Sequence, residues 1–218
     1  MSGGALARWT TALAWLTHPV YVLAGMPMSW GDIAGFLTGI VNVWLAARAH
    51  VWNFHFGILN AAILGLVFLQ QRLFADASLQ VVFIVLNLRG LLQWRAGHTV
   101  RESDPVFRLP HGEHAMLVLV AGALFFPLWW VLGLLKGSAP PIDAAITSLS
   151  IVAQWLLNRR VLENWGWWIV IDLISIPLYV SRGLPLIAAL YVVFLALCVQ
   201  GFLRWRRHVV PQAEAATA

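Results

Sequence analysis

The chain has 218 residues, 61% of them hydrophobic and 11% charged, with a formal charge of +5 and a mean hydropathy of +0.78. Soluble domains carry about 25% charged residues, so this composition excludes an ordinary soluble protein, and apolar runs of about 20 residues point to helices that cross a bilayer. The basic surplus sits at the ends of those runs, which fits loops held on one side of a membrane and argues against nucleic acid as a partner.

In chain order, residues 1–30 are an N-terminal segment. Residues 1–8 are small, with one charge at Arg8, and residues 9–26 are apolar but broken at His18-Pro19. The latter read either as an extra spanning helix or as an amphipathic element at the membrane surface. No small-x-small cleavage site followed by a polar start is present, which argues against a signal peptide. Residues 31–95 hold three expected spans: 31–49, entered through Trp30-Gly31-Asp32 and closed by Arg48; 52–70; and 76–94, closed by Arg95. Residues 96–141 comprise a polar surface linker (96–113), a fourth span (114–135) and a loop where Gly137, Pro140 and Pro141 stop helices. Residues 142–207 hold spans 142–157, 165–180 and 184–203, and a polar tail, 208–218, follows. The single cysteine, Cys198, lies inside the last span, so no disulfide framework and no cysteine-based metal site can form.

The sequence repeats itself. A shift of 111 positions (143 − 32) lays residues 32–95 on 143–206 without a gap. Asp32 falls on Asp143, Trp44-Leu45 on Trp155-Leu156, Arg48 on Arg159, Asn53 on Asn164, Gly90 on Gly201 and Trp94-Arg95 on Trp205-Arg206. Roughly a third of the aligned pairs are identical. Shared apolar composition would match scattered Leu and Val; it would not align Trp, Gly, Asn and Arg at one offset. Three spans, one linker span and three more make two like-oriented units, because the odd helix restores the orientation of the second copy. The fold class expected is an all-α polytopic membrane protein of SWEET-like architecture, two parallel three-helix repeats about an axis along the membrane normal. Arg48, Arg95, Arg101, Arg108, Arg159, Arg160, Arg204, Arg206 and Arg207 fall on one face, against Arg72, Lys136 and Arg182 on the other. That bias puts the C-terminus and the 96–113 loop in the cytoplasm.

Polar side chains within spans usually face the bundle interior. Here they are Asn42, Asn60, Gln80, Asn87, Thr147, Ser148, Ser150, Gln154, Asp172 and Tyr191. Asp172, one to two turns into its span, costs about 2.5–3.5 kcal/mol to insert. It is either a contact for a substrate or cation, or a carboxylate paired with Asn, Tyr or backbone near the membrane edge. Trp165 and Trp168 share a helix face while Trp167 points elsewhere. Two indoles followed by a carboxylate suit an aromatic cation, although aromatics at a helix start also form interfacial belts. Asn87 and Gln80 lie two turns apart on one face, and their repeat counterparts are Cys198 and Tyr191. The two halves therefore differ chemically where the first offers amides. Arg89 reads as a snorkelling, structural residue, and Gly90 and Gly201 as sites of close helix packing. His111, Glu113 and His114 form one enzyme-like cluster, but they lie in a polar linker and lack the H-E-x-x-H spacing of a zinc hydrolase. A membrane enzyme built on them is the alternative of another class.

Several blocks carry a resemblance: W-N-F-H-F-G-I-L-N (52–60), L-Q (79–80), N-L-R-G-L-L-Q-W (87–94), L-S-I-V-A-Q (149–154), E-N-W-G-W-W-I-V-I-D (163–172), G-L (183–184) and A-A-L-Y (188–191). On these blocks residues 30–207 resemble the Pnu family of bacterial vitamin transporters. One departure is Arg89-Gly90-Leu91, where members often have aromatic residues, as in Y-G-W. The resemblance implies a SWEET-like fold in the bacterial inner membrane, a binding site midway across it between the two units, and facilitated diffusion. It also implies a homotrimer and a cytoplasmic kinase that traps the imported nucleoside by phosphorylation. The expected activity is uptake of nicotinamide riboside, with thiamine or riboflavin as alternative cargo. No catalytic residue, cofactor or metal is expected. The substrate-binding residues expected are Asn60, Gln80, Asn87, Gln154, Trp165, Trp168, Asp172 and Tyr191. Their indoles would stack on a pyridinium ring, and their amides and carboxylate would meet the ribose hydroxyls and carboxamide.

Overall fold

Local chemistry sets several of the helix ends. The computed structural model describes residues 14–23, 25–70, 74–96, 105–134 and 140–210. A single turn, α1 (Ala14–Thr17), leads into an antiparallel hairpin of β1 (Pro19–Leu23) and β2 (Met26–Ser29). Pro19 and Pro27 cannot serve a helix interior, and Gly25 supplies the positive φ of the turn. The spanning helix offered as one reading of 9–26 is therefore not formed at the strand residues 19–23; residue 24 and the part before residue 14 lie outside the described residues.

Ser29 then caps α2 (Trp30–Ala47). Its hydroxyl accepts from Asp32 N at 3.2 Å, and Asp32 Oδ2 accepts from Ser29 N at 2.9 Å, a reciprocal capping box. There follow α3 (Trp52–Gln70), α4 (Phe74–Ala96), α5 (His111–Leu134), α6 (Pro140–Asn158), α7 (Asn164–Ser181) and α8 (Pro185–Trp205). Gly183, at φ 69°, ends α7, and Pro185 opens α8 with its fixed φ. Arg182 at the end of α7 meets Asp143 at the start of α6 at 3.2 Å.

Among the described residues, five helical stretches are long and apolar enough to cross a membrane: Trp30–Ala47, Trp52–Gln70, Asp76–Arg95, Gly112–Leu134 and Pro185–His208. The expected spans in α6 and α7 fall short of that standard. The reason is visible in what they bury: Thr147, Ser148, Ser150, Gln154 and Asn158 on α6, and Asn164, Asp172 and Ser175 on α7. Helices sheltered by other helices can carry polar side chains that lipid would not tolerate. The lipid-type surface lies elsewhere, as on α5, where Leu119 is 72% and Trp130 68% exposed.

Within each set of three, neighbours pack in sequence: α2 on α3 and α3 on α4, then α6 on α7 and α7 on α8. Between the sets, α2 packs on α8 and α4 on α6, so each first helix meets the other set's third. Local features recur 111 residues apart. Ala49 and Arg160 both have positive φ, 50° and 55°. Asn53 donates to His50 O at 2.7 Å, as Asn164 does to Val161 O at 2.6 Å. Arg48 lies over the Trp44 ring at 3.8 Å, and Arg159 over Trp155 at 4.6 Å.

The core of one end is aromatic. Phe54, Trp94, Trp165 and Trp205 pack together, with Trp94 edge-on to Phe54 and Trp205 edge-on to Trp165. Their indoles also cross between the sets: Trp94 Nε1 donates to Asn158 O at 2.9 Å and Trp205 Nε1 to Ala46 O at 3.2 Å. The 96–113 stretch, expected as a surface linker, is partly inserted here. Val106 and Leu109 are buried. Phe107 pairs in parallel with Val161, Val106 with Val209, and Leu109 N donates to Glu163 Oε2 at 3.0 Å. Two apolar side chains in an otherwise polar segment suffice to anchor it.

Candidate functional site

The inward stripe of α7 carries Trp165, Trp168, Asp172, Ser175 and Tyr179, spaced three or four residues apart and so superposed on one helix face. Its two ends are closed by aromatic packing. At one end Trp165 is 1% exposed, its ring against Trp205 and against Gly201, where a Cβ would come within 2.6 Å. At the other end Tyr179 stacks on Tyr191 of α8 with centroids 5.2 Å apart, and Phe194 meets Tyr191 edge-on.

Between these ends sit two buried polar groups without a full set of partners. Asp172 is 3% exposed and its Oδ2 accepts no hydrogen bond, while the Cys198 thiol of α8 reaches the carboxyl group. Ser175 is 0% exposed; its Oγ has no partner at full hydrogen-bond geometry, and the Tyr191 hydroxyl of α8 is the polar group that faces it. Burying such groups unpaired is expensive, so each calls for a partner that the protein itself does not supply, and a bound ligand is one such partner. Tyr191 is close enough to Asp172 to interact with it electrostatically.

The other expected residues divide. Asn60 knits α3 to α2, donating to Gly35 O at 2.7 Å and Thr38 Oγ1 at 3.0 Å. It flanks Gly39, as does Phe194, so it lies beside the tyrosine end of the stripe. Gln154 donates to Asn158 Oδ1 at 3.2 Å, and Asn158 Nδ2 to Leu86 O of α4 at 2.9 Å. Asn87 donates back to Phe83 O at 2.9 Å while its carboxamide fills the space over Gly57. Gln80 is half-buried against Gly65, and Trp168 half-buried against the aromatic core. Asp172 and Tyr191 are thus brought together, with Asn60 nearby; Gln154 belongs to the α4–α6 seam and Asn87 to the contact of α4 with α3; the Trp165 ring is closed in by Trp205 and Gly201, and its buried Nε1 has no partner.

Ser175, Asn158, Cys198 and Tyr179 were not singled out by sequence reasoning as binding residues. A signal existed for two of them: Ser175 follows Asp172 at i+3, and Asn158 follows Gln154 at i+4. At the cluster proposed for an enzyme, His114 Nδ1 lies 3.2 Å from Pro110 O, and the side chain of His111 is outside the described residues. Among the described residues no group of three or more His, Cys, Asp or Glu is placed to hold a metal.

Known proteins give the site a context. The family model described as nicotinamide mononucleotide transporter matches residues 29–207. The nicotinamide riboside transporter PnuC of Escherichia coli (strain K12) is 26% identical, with 87% of this chain and 90% of that protein covered. The riboflavin/roseoflavin transporter RibM of Streptomyces davaonensis is 28% identical, covering 94% of this chain and 99% of that one. Among solved structures, that of the vitamin B3 transporter PnuC superposes with a TM-score of 0.68 at 22% identity, covering 95% of this chain and 94% of that one, which establishes a shared fold. These relatives are transporters, and none is an enzyme. With the family model spanning its whole helical core, the chain belongs to the nicotinamide mononucleotide transporter family, a family of multi-pass membrane carriers.

Proposed function

We propose that this chain takes up nicotinamide riboside across the bacterial inner membrane by facilitated diffusion. The observation that carries the reading is the α7 stripe: aromatic groups above and below a buried carboxylate whose Oδ2 has no partner. A cationic aromatic ring matches it, because a fixed positive charge offsets the buried carboxylate and the ring can stack. Asp172, Tyr191, Trp168 and Asn60 contact the ligand, with Gln80, Asn87 and Gln154 reaching it from α4 and α6. Trp165 acts through packing, holding the stripe in register. The relatives named for nicotinamide riboside transport support this cargo.

The two three-helix sets act as parallel, SWEET-like repeats that rock about the site and expose it alternately. The local features that recur at 111 residues and the exchanged α2–α8 and α4–α6 packing support this arrangement. The C-terminus faces the cytoplasm, where a kinase phosphorylates the imported nucleoside and so prevents its return. The carrier works as a homotrimer. Riboflavin is the second reading, favoured by the 28% identity to RibM.

A thermal-shift panel on the purified protein tests the cargo, since a ligand that binds only the folded state raises its apparent stability. Nicotinamide riboside should raise Tm, and radiolabelled riboside should enter proteoliposomes. A rise with riboflavin or thiamine alone would overturn the assignment.

A further inference from the structure

Ser175 differs from four other helical hydroxyls of this protein. Thr38, Ser148, Ser150 and Ser181 each donate back to a carbonyl three or four residues earlier, at 2.6 to 3.0 Å. That is the ordinary way for a hydroxyl in an apolar helix to satisfy itself. Ser175, fully buried near the middle of α7, does not do so. One turn before it, Asp172 Oδ2 is equally buried and equally without a partner. Two such groups at i and i+3 point the same way. An ionised carboxylate can only accept hydrogen bonds, whereas a hydroxyl can also donate. The pair therefore offers one acceptor beside one donor.

We propose that Asp172 and Ser175 together read a primary carboxamide, Asp172 accepting from its N–H and Ser175 donating to its carbonyl oxygen. The pair is the specificity determinant that admits the amide form of a pyridine nucleoside and rejects the acid form. The acid has a carboxylate in place of the amide; it offers no N–H to Asp172 and sets a like charge against it. A site built to hydrogen-bond one group discriminates strongly against an analogue that leaves its buried polar atoms unpaired. The Cys198 thiol reaches the carboxyl group of Asp172 from α8, Tyr191 faces Ser175 from the same helix, and Asp172 Oδ2 is the oxygen left without a partner.

This inference rests on the riboside reading above. The test is calorimetric binding of nicotinamide riboside and of nicotinic acid riboside to the purified full chain, its Ser175→Ala variant and its Asp172→Asn variant, with Tm measured on each. The wild type should bind the amide at least about a hundredfold more tightly than the acid. Ser175→Ala should weaken amide binding about tenfold. The same variant should keep or raise Tm, because it deletes a buried hydroxyl that has no partner. Asp172→Asn should narrow the preference for amide over acid. Loss of binding with gain of stability is a combination that a merely structural hydroxyl would not give. If the wild type binds the amide but Ser175→Ala binds it equally well, or if the wild type does not distinguish amide from acid, the inference is overturned while the riboside assignment stands. If the wild type binds neither riboside, the assignment falls and the inference with it.

Discussion

The two three-helix sets agree at one end and differ in the middle. At the agreeing end, Phe54 and Trp165 are equivalent positions, and each lies against the glycine, Gly90 or Gly201, of its own third helix. Trp94 and Trp205 each donate across to the opposite set. In the middle the equivalents diverge: Ala61 against Asp172, Leu64 against Ser175, Gln80 against Tyr191, Asn87 against Cys198, Asn60 against Ile171. A symmetric scaffold thus carries an asymmetric lining. The positions that hold the sets together match between the halves, and those of the proposed site do not.

The largest effect should come from the shared end. Trp165→Ala and Phe54→Ala should each cost about 3–5 kcal/mol, since both are large and fully buried side chains. If both lower Tm alike, the equivalence is structural; if Phe54→Ala alone destabilises while Trp165→Ala abolishes only binding, Trp165 belongs to the site. Gly201→Ala comes next. Its Cβ would sit 2.6 Å from the Trp165 ring, so a loss of about 1–3 kcal/mol is expected from overpacking, read as Tm in detergent. Asp172→Ala should weaken riboside binding by at least about tenfold, the loss of one charged hydrogen bond, without lowering Tm. The reciprocal Ala61→Asp, which puts a carboxylate in the half that lacks its partners, should lower Tm and confer no binding. The smallest effects lie at the edges. Ala49→Gly should raise stability by about 1 kcal/mol or less by relieving positive φ, and Arg160→Gly by less, because it also removes the guanidinium that lies 4.7 Å over the Trp94 ring. Arg182→Ala, breaking a partly exposed pair, should cost about 0.2–1 kcal/mol. Opposite signs for the two glycine variants would show that the equivalent turns are not energetically alike.

The sequence alone determined the helical membrane class, the ends of six helices and the 111-residue correspondence, because hydrophobic runs, caps and duplicated Trp, Gly and Arg are local signals. It also singled out Asp172, since a carboxylate in an apolar helix is conspicuous wherever it points. Tertiary structure decided what sequence could not. Trp165 and Trp168 look alike in the chain, yet the first is closed in by Trp205 and Gly201 while the second is half-buried. The inserted Val106 and Leu109 and the surroundings of the Ser175 hydroxyl depend on neighbours distant in sequence, whereas the hairpin rests on the local signals of Pro19, Gly25 and Pro27. Whether a polar atom is paired is a property of the space around it, and that space exists only once the helices have packed.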